Sequence, residues 1–283
     1  MIVYAALIRR ARKELTVVVR LFVTDMDHTF LDHTRHYDRQ RFKSILSSLH
    51  HRGIRFAIAS GNQRERIDEY FTGFSIDGMI AENGPYIISK EKVLEVNLFP
   101  DSTAQALVQY LSNIPNLHLV ICTPIKAFML NGDDPGRIKM MHEFCPALET
   151  VATLLPYAHH IIKISISCPK SQTQTLLDKI ETTFPLQVHA TSSRFGNIDL
   201  IRPGKDKSHG LRLLSNYFGI SLADSCVFGD GRNDLTMMRI AGTSVAVANA
   251  DPEVLTIASQ ITEAADDNGV LNYLEQYLKQ ISQ

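Results

Sequence analysis

Val17-Val18-Val19-Arg20-Leu21-Phe22-Val23-Thr24-Asp25-Met26-Asp27-His28-Thr29 reads as a strand that ends in acids. The run up to Thr24 is rich in valine, as expected for a strand covered on both faces. The residues that follow it decide the architecture. Asp38 can cap a helix whose apolar positions Phe42, Ile45, Leu46 and Leu49 form one stripe, with Gly53 as its stop. Residues 54–59 form a second apolar run. A helix over about 63–70 then leads to a third strand at 79–81. This β-α-β-α-β order predicts a Rossmann-like, doubly wound parallel sheet with helices on both faces. The same grammar returns near the end. Helices are expected at 208–218, 235–241 and 252–259, the last with Pro252 in its first turn, and strands at 225–228 and 244–248.

The middle of the chain obeys a different rule. Residues 86–88 and 93–96 look like short paired strands, and 117–122 and 127–130 like strands around Pro124. Over 161–167, Ile162, Ile164 and Ile166 alternate with Lys163, Ser165 and Ser167, which predicts an antiparallel sheet with one wet face. A helix is expected at 171–183 and strands at 187–190 and 198–201. The reading is therefore an α/β core over 17–85 and 201–283, interrupted by an α+β insert over 86–200. Residues 1–16 form an N-terminal extension.

Composition narrows the partners. The 283 residues suit about two domains at roughly 150 residues each. Lys+Arg (29) and Asp+Glu (30) leave a net charge of -1, which argues against a nucleic-acid partner. Cys122, Cys145, Cys168 and Cys226 form no CxxC pair and read as reduced thiols. No stretch approaches the roughly 20 apolar residues of a membrane span. Arg9, Arg10 and Arg12 follow the first apolar run instead of preceding it, the wrong order for a secretory signal. A cytoplasmic protein is expected; its oligomeric state is not legible.

In an open parallel sheet, ligands sit at the carboxyl ends of the strands. Those ends carry Asp25 and Asp27, then Ser60-Gly61-Asn62, then Gly229-Asp230-Gly231-Arg232-Asn233-Asp234, with Lys205 and Lys207 just upstream of the last strand's helix. Crowded carboxylates repel one another, and a hard divalent cation removes that problem. An all-oxygen donor set suits Mg²⁺ better than zinc. Acids, a lysine and a hydroxyl together describe a site for a phosphoryl group.

These residues carry a family resemblance. Asp25-Met26-Asp27-His28-Thr29-Phe30-Leu31, Ser60-Gly61-Asn62, Lys207 and Gly229-Asp230-Gly231-Arg232-Asn233-Asp234 resemble, in order, the four motifs of the haloacid dehalogenase superfamily. Glu82-Asn83-Gly84 and the long insert resemble its Cof-type phosphatases, which carry a C2B-type α+β cap. Phe195-Gly196-Asn197-Ile198-Asp199-Leu200-Ile201 is similar to the bacterial sugar-phosphatase branch. The resemblance implies a Mg²⁺-dependent phosphatase of small phosphate esters, sugar phosphates among them, acting through an aspartyl-phosphate. Asp25 would be the nucleophile and Asp27 the acid and base. Asp25, the Asp27 carbonyl and Asp230 would hold Mg²⁺, with Asp234 orienting a metal-bound water. Ser60, Gly61, Lys207 and Asn233 would hold the phosphoryl oxygens.

The family's Pro-Gly-x-x-Lys spacing selects Lys207 over Lys205, which would lie in the hinge. His28 stands where the family usually has glycine, and is read as an outward imidazole. His33, His36, His50, His51, His159 and His160 are read as surface histidines. Arg194 and Phe195 fall near the expected hinge. A sugar phosphomutase of the same fold, or a sensor that binds a phospholigand without turnover, are the alternatives.

Overall fold

The computed structural model describes residues 18–193 and 197–282. The N-terminal extension, Val17, Arg194 and Phe195 lie outside them. The core opens with β1 (Leu21–Thr24), α1 (Arg39–His51), β2 (Arg55–Ala59), α2 (Arg64–Tyr70) and β3 (Gly78–Ala81). β1 pairs in parallel with β2, and β2 with β3. Helix α1 starts as the sequence requires: Asp38 accepts a hydrogen bond from the Arg41 amide at 2.9 Å, and Phe42, Ile45, Leu46 and Leu49 are buried.

β4 (Tyr86–Ser89) and β5 (Lys92–Val96) correct the sequence reading. They pair with each other as expected, but β4 also pairs antiparallel with β3, so both strands extend the core sheet and not the insert. A short hairpin carries the same local pattern wherever it docks. What fixes it here is the turn at Glu82, Asn83 and Gly84, all with positive φ, which folds β4 straight back onto β3.

The chain then builds α3 (Asp101–Ser112), β6 (His118–Cys122), β7 (Ala127–Leu130), α4 (Pro135–Phe144), β8 (Leu148–Val151), β9 (Lys163–Ser167), α5 (Thr173–Thr183), β10 (His189–Ser193) and β11 (Asn197–Ile201). The six strands form a second sheet in the order β10-β11-β9-β6-β7-β8. Ile164, Ile166, Leu119, Ile121, Ile198 and Leu200 bury one face of it against Leu107 and Leu111 of α3 and Leu176 and Ile180 of α5. The opposite face is polar as expected, with Ser165 and Ser167 part-exposed and Asn197 exposed, but it does not face open solvent throughout. Lys163 is 5% exposed, because that face is turned toward the core. Helices α3 and α4 and strand β8 were not expected from the sequence. Helix α4 has a clear start, with Asp134 accepting from the Arg137 amide and Pro135 in the first turn; none of its residues is fully buried, and Ile138, Met141 and Phe144 form a short, half-buried stripe.

The core resumes with α6 (Lys207–Phe218), β12 (Ser225–Gly229), α7 (Leu235–Met238), β13 (Thr243–Val247), α8 (Pro252–Ile257), β14 (Gln260–Thr262) and α9 (Gly269–Gln280). β14 and α9 also went unread in the sequence. The core sheet runs β14-β13-β12-β1-β2-β3-β4-β5. Its two faces are covered by different helices. Phe22 and Phe56 are register partners on one face, where Phe22 meets Tyr277 of α9 at 5.1 Å and Phe56 meets Phe42 of α1 at 5.2 Å. Ala57 and its partner Gly78 lie on the other, against Leu214 of α6. The doubly wound α/β fold is therefore observed.

Candidate active site

The winding of the core reverses direction at β1, so β12, β1 and β2 are parallel neighbours that end on one edge. Such a switch point opens a crevice at the strand tips. The tips are tied to one another past the last paired residues. The Asp25 amide donates to the Phe228 carbonyl at 3.0 Å, and the Ser60 amide to the Ile80 carbonyl at 2.8 Å. Residues distant in sequence thus meet at fixed spacing.

Asp25, Asp230 and Asp234 converge, each offering a carboxylate oxygen within 4.8 Å of the others. All three are buried, and Lys207, fully buried, lies between two of them. Its Nζ is 2.6 Å from Asp25 Oδ1 and 2.7 Å from Asp234 Oδ1. Burial drives the Asp25 carboxyl well above the usual carboxylate range; Lys207 opposes the shift, while Asp234 and Asp230 add to it. Burial alone would depress the Lys207 ammonium, but Asp234 and Asp25 outweigh it and hold the group above its ordinary value. The ammonium contacts two of the three crowded acids. An all-oxygen set of this kind fits a hard divalent cation.

Asp234 is placed to act from behind this set. Its Oδ2 accepts the Asp230 and Gly231 amides, each at 3.0 Å, and its Oδ1 accepts Lys207. Asp230 Oδ1 accepts the Thr29 hydroxyl at 2.8 Å. Asp27 stands at the mouth, half-exposed, with Oδ2 held by the Asn62 amide group at 2.5 Å. The Ser60 hydroxyl oxygen accepts from the Asn62 amide and side chain at 3.1 and 2.9 Å, which leaves its own proton to donate elsewhere. Lys207, not Lys205, is in the site. Lys205 instead pairs with Glu95 of β5 at 2.9 Å. His28 is exposed with φ 61°, a left-handed conformation that glycine adopts without strain and that histidine adopts more readily than most residues.

Asn233 borders the cavity, but its side-chain amide donates to Asn83 Oδ1 at 3.0 Å, and Asn83 in turn donates to Asp199 Oδ2 at 2.6 Å. Gly61 also borders it, with its carbonyl accepting Lys163 Nζ at 2.6 Å. Lys163 is further paired with Glu82 at 2.6 Å. These contacts tie the insert to the core, and the sequence reading assigned none of Lys163, Asn83 and Asp199 to the site. The signal lies in the Lys163-Ser165-Ser167 alternation, a pattern shared by a solvent face and by a polar face turned toward another domain. His50, read as a surface residue, is half-buried and bonded to the buried Asp77 at 2.8 Å.

The crevice is a cavity of about 460 Å³ between the two sheets. Asp25, Ser60 and Asp230 line its floor, with Asp27 at the mouth. From the insert, Ser165, Ser167, Asn197 and Asp199 form a polar wall, and Met129, Met140, Met141 and Phe144 an apolar one.

Residues 22–274 match the family described as haloacid dehalogenase-like hydrolase. The chain belongs to this family. A 5-amino-6-(5-phospho-D-ribitylamino)uracil phosphatase of Escherichia coli, YbjI, is 31% identical over 92% of this chain and 97% of its own length. An HMP-PP phosphatase of Cronobacter sakazakii is 28% identical over 84% and 87%. Among solved structures, Streptococcus mutans SMU.1108c superposes with a TM-score of 0.88 at 29% identity, covering 92% of this chain and 99% of that one. The subclass IIB sugar phosphatase BT4131 shares the fold, with a TM-score of 0.80 at 20% identity over 92% and 99%. Membership and the relatives' names support phosphatase activity for this haloacid dehalogenase-like hydrolase, and the inserted sheet is the cap of the fold. Among the described residues, no helix is long and apolar enough to cross a membrane.

Proposed function

We propose that this hydrolase is a Mg²⁺-dependent phosphatase of sugar and polyol phosphates that works through a phosphoaspartate on Asp25. The observation that carries the reading is the buried Asp25–Lys207–Asp234 arrangement with Asp230 alongside. It provides a nucleophile, a fixed cation and a metal-binding set in one place. Asp25, Asp230 and the Asp27 backbone carbonyl would hold Mg²⁺, which when bound neutralises the acids and the phosphoryl oxygens. Asp234, with both oxygens engaged, supports that set from behind.

An Asp25 carboxylate oxygen forms a bond to phosphorus while the ester P–O bond breaks in line. Asp27 gives its proton to the departing oxygen. Lys207, the Ser60 hydroxyl and the Gly61 amide stabilise the charge spread over the phosphoryl oxygens. Asp27, now a carboxylate, takes a proton from water as that water attacks phosphorus. Phosphate departs and Asp25 is regenerated. Asn233 acts through Asn83 and Asp199 to seat the cap.

The polar wall of Ser165, Ser167, Asn197 and Asp199 suits a leaving group with several hydroxyls. The named Escherichia coli substrate carries its phosphate on a ribityl chain, which is such a group. A cavity of about 460 Å³ admits a small metabolite and excludes a phosphoprotein.

The test is phosphate release from glucose 6-phosphate, glucose 1-phosphate, D-ribose 5-phosphate, 5-amino-6-(5-phospho-D-ribitylamino)uracil, flavin mononucleotide and pyridoxal phosphate. Activity should vanish in EDTA, return with Mg²⁺ and be absent in Asp25→Asn. Conversion of glucose 1-phosphate to glucose 6-phosphate without phosphate release would make it a mutase. Saturable binding with no turnover of any ester would make it a sensor. Activity indifferent to chelation would remove the metal from the reading.

A further inference from the structure

Arg66 of α2 is 1% exposed and does not border the cavity. Burying a guanidinium is unfavourable unless its charge is paired and its donors are used. Here one donor is used: Nη1 hydrogen-bonds the Glu143 carbonyl in the last turn of cap helix α4. The Arg66 Cζ also lies 4.4 Å from the Phe144 ring centroid and 5.4 Å from that of Tyr70. Nε and Nη2 make no hydrogen bond among the described residues. Nη2 instead faces Asp27, 3.9 Å from its Oδ1. A group that served only to fill this space would be replaced by an apolar side chain at lower energy.

We propose that Arg66 is a positioning residue that ties the docking of cap helix α4 to the placement of the Asp27 carboxylate. The inference rests on the role given to Asp27 above. Asn62 holds one oxygen of that carboxylate from the Ser60-Gly61-Asn62 turn, and the guanidinium faces the other. Two fixed neighbours set the plane of the carboxyl, and so the direction of its proton. The guanidinium is itself held from the cap side by the Glu143 carbonyl and the Phe144 ring. If α4 moves off the core, Arg66 loses both. Met140, Met141 and Phe144 of the same helix line the substrate cavity, so a leaving group seated against them and a correctly turned Asp27 arrive together.

Two esters with different needs for a proton provide the test. p-Nitrophenolate leaves unaided, whereas an alkoxide from a sugar phosphate needs Asp27 as acid. The comparison uses kcat/KM, which covers the steps up to loss of the leaving group. It is made for the full chain with Mg²⁺, on p-nitrophenyl phosphate and on the alkyl phosphate of the panel that is turned over fastest. Arg66→Met should lose about 30-fold or more on the alkyl phosphate and less than about 3-fold on the aryl ester, a part of the 10²–10⁴-fold that a placed acid contributes. Because Asp27 also activates water, a burst of nitrophenol should appear as phosphoenzyme accumulates. Arg66→Lys, which keeps charge without the fork, should fall between. Parallel losses on both esters, or no loss, would overturn the proposal. If Arg66→Met does not fold, the same ratio in Arg66→Lys decides. Wild-type inactivity on every ester would instead sink the phosphatase reading itself.

Discussion

Replacing Lys207 by methionine tests the electrostatic core of the site. The side chain is fully buried, and its ammonium contacts two carboxylates at 2.6 and 2.7 Å. At an effective dielectric constant of about 20, each contact carries roughly 6 kcal/mol of gross Coulomb attraction. Desolvation offsets most of this, and removing one partner of a buried pair costs about 3–5 kcal/mol net. Methionine matches the stem but removes the ammonium that contacts Asp25 and Asp234, beside Asp230. In EDTA we expect a loss of about 4 kcal/mol, which at about 2–4 °C per kcal/mol lowers Tm by about 8–16 °C. A divalent cation bound only to the folded state adds stability, about 2.7 kcal/mol at a hundredfold excess over Kd. Without the competing ammonium on Asp25 it should bind Asp25 and Asp230 more tightly, so Mg²⁺ should raise Tm more in the variant than in the native protein. Lys205→Met is the control. That lysine is partly exposed and pairs with Glu95 at 2.9 Å, so its loss should cost under about 1 kcal/mol. Scanning both variants with and without Mg²⁺ decides the matter. Equal shifts for the two lysines in EDTA, or an equal response to Mg²⁺ in native protein and the Lys207 variant, would refute the reasoning.

Asp27→Asn should leave a phosphorylated protein that decays slowly, because an amide cannot accept a proton from water; intact mass after mixing with p-nitrophenyl phosphate should show one added phosphoryl group, and rapid loss of it would remove Asp27 from the second step. Burial would raise the Glu95 carboxyl, but hydrogen bonds from Lys205, His209 and Asn97 outweigh it and hold the group at about 2. A lowered folded-state value stabilises above the unfolded value of 4.5, and the gain is lost as pH falls toward 2. The stability gap between native protein and Glu95→Gln should therefore be full above about pH 4.5 and close between there and about pH 2; a gap that widens on acidification would contradict the pairing. Gly84 has φ 131°, and a β-carbon there would sit 2.3 Å from the Lys205 carbonyl oxygen. Gly84→Ala should cost about 2–4 kcal/mol and displace the start of α6, and so Lys207. A variant with native Tm and native phosphate release would show that the turn is not what seats that lysine.

Most of the catalytic floor was legible because strand tips are simple to find. A buried parallel strand reads as an apolar run, and whatever polar residues end it must lie at the crevice. That logic placed Asp25, Ser60 and Asp230 without side-chain coordinates, and the structure brings Asp25, Asp230 and Asp234 together around Lys207. It failed where a face, not an end, carries the information. Lys163, Ser165 and Ser167 alternate as a solvent-facing strand does, and nothing local reveals that the core lies opposite. Arg66 was invisible for a related reason. A helical arginine is nearly always read as exposed, whereas this one is buried against Tyr70 of its own helix and the end of α4. The hairpin of β4 and β5 was found but misassigned, since pairing partners beyond the nearest strand are not encoded in alternation.

Leu21 of β1 pairs with Ser225 of β12, across the whole insert. At about 5–20 residues per second, roughly 10–40 s of synthesis separate the two strands. Until β12 emerges from the ribosome, one edge of β1 has no neighbour and is open to the wrong one. The acids that would repel each other are also kept on separate stretches of nascent chain, so the electrostatic penalty of assembling them arises only in the last act of folding. Newly made chains should accordingly depend on holdase chaperones through that interval, and truncations ending before residue 225 should aggregate instead of yielding a half-domain.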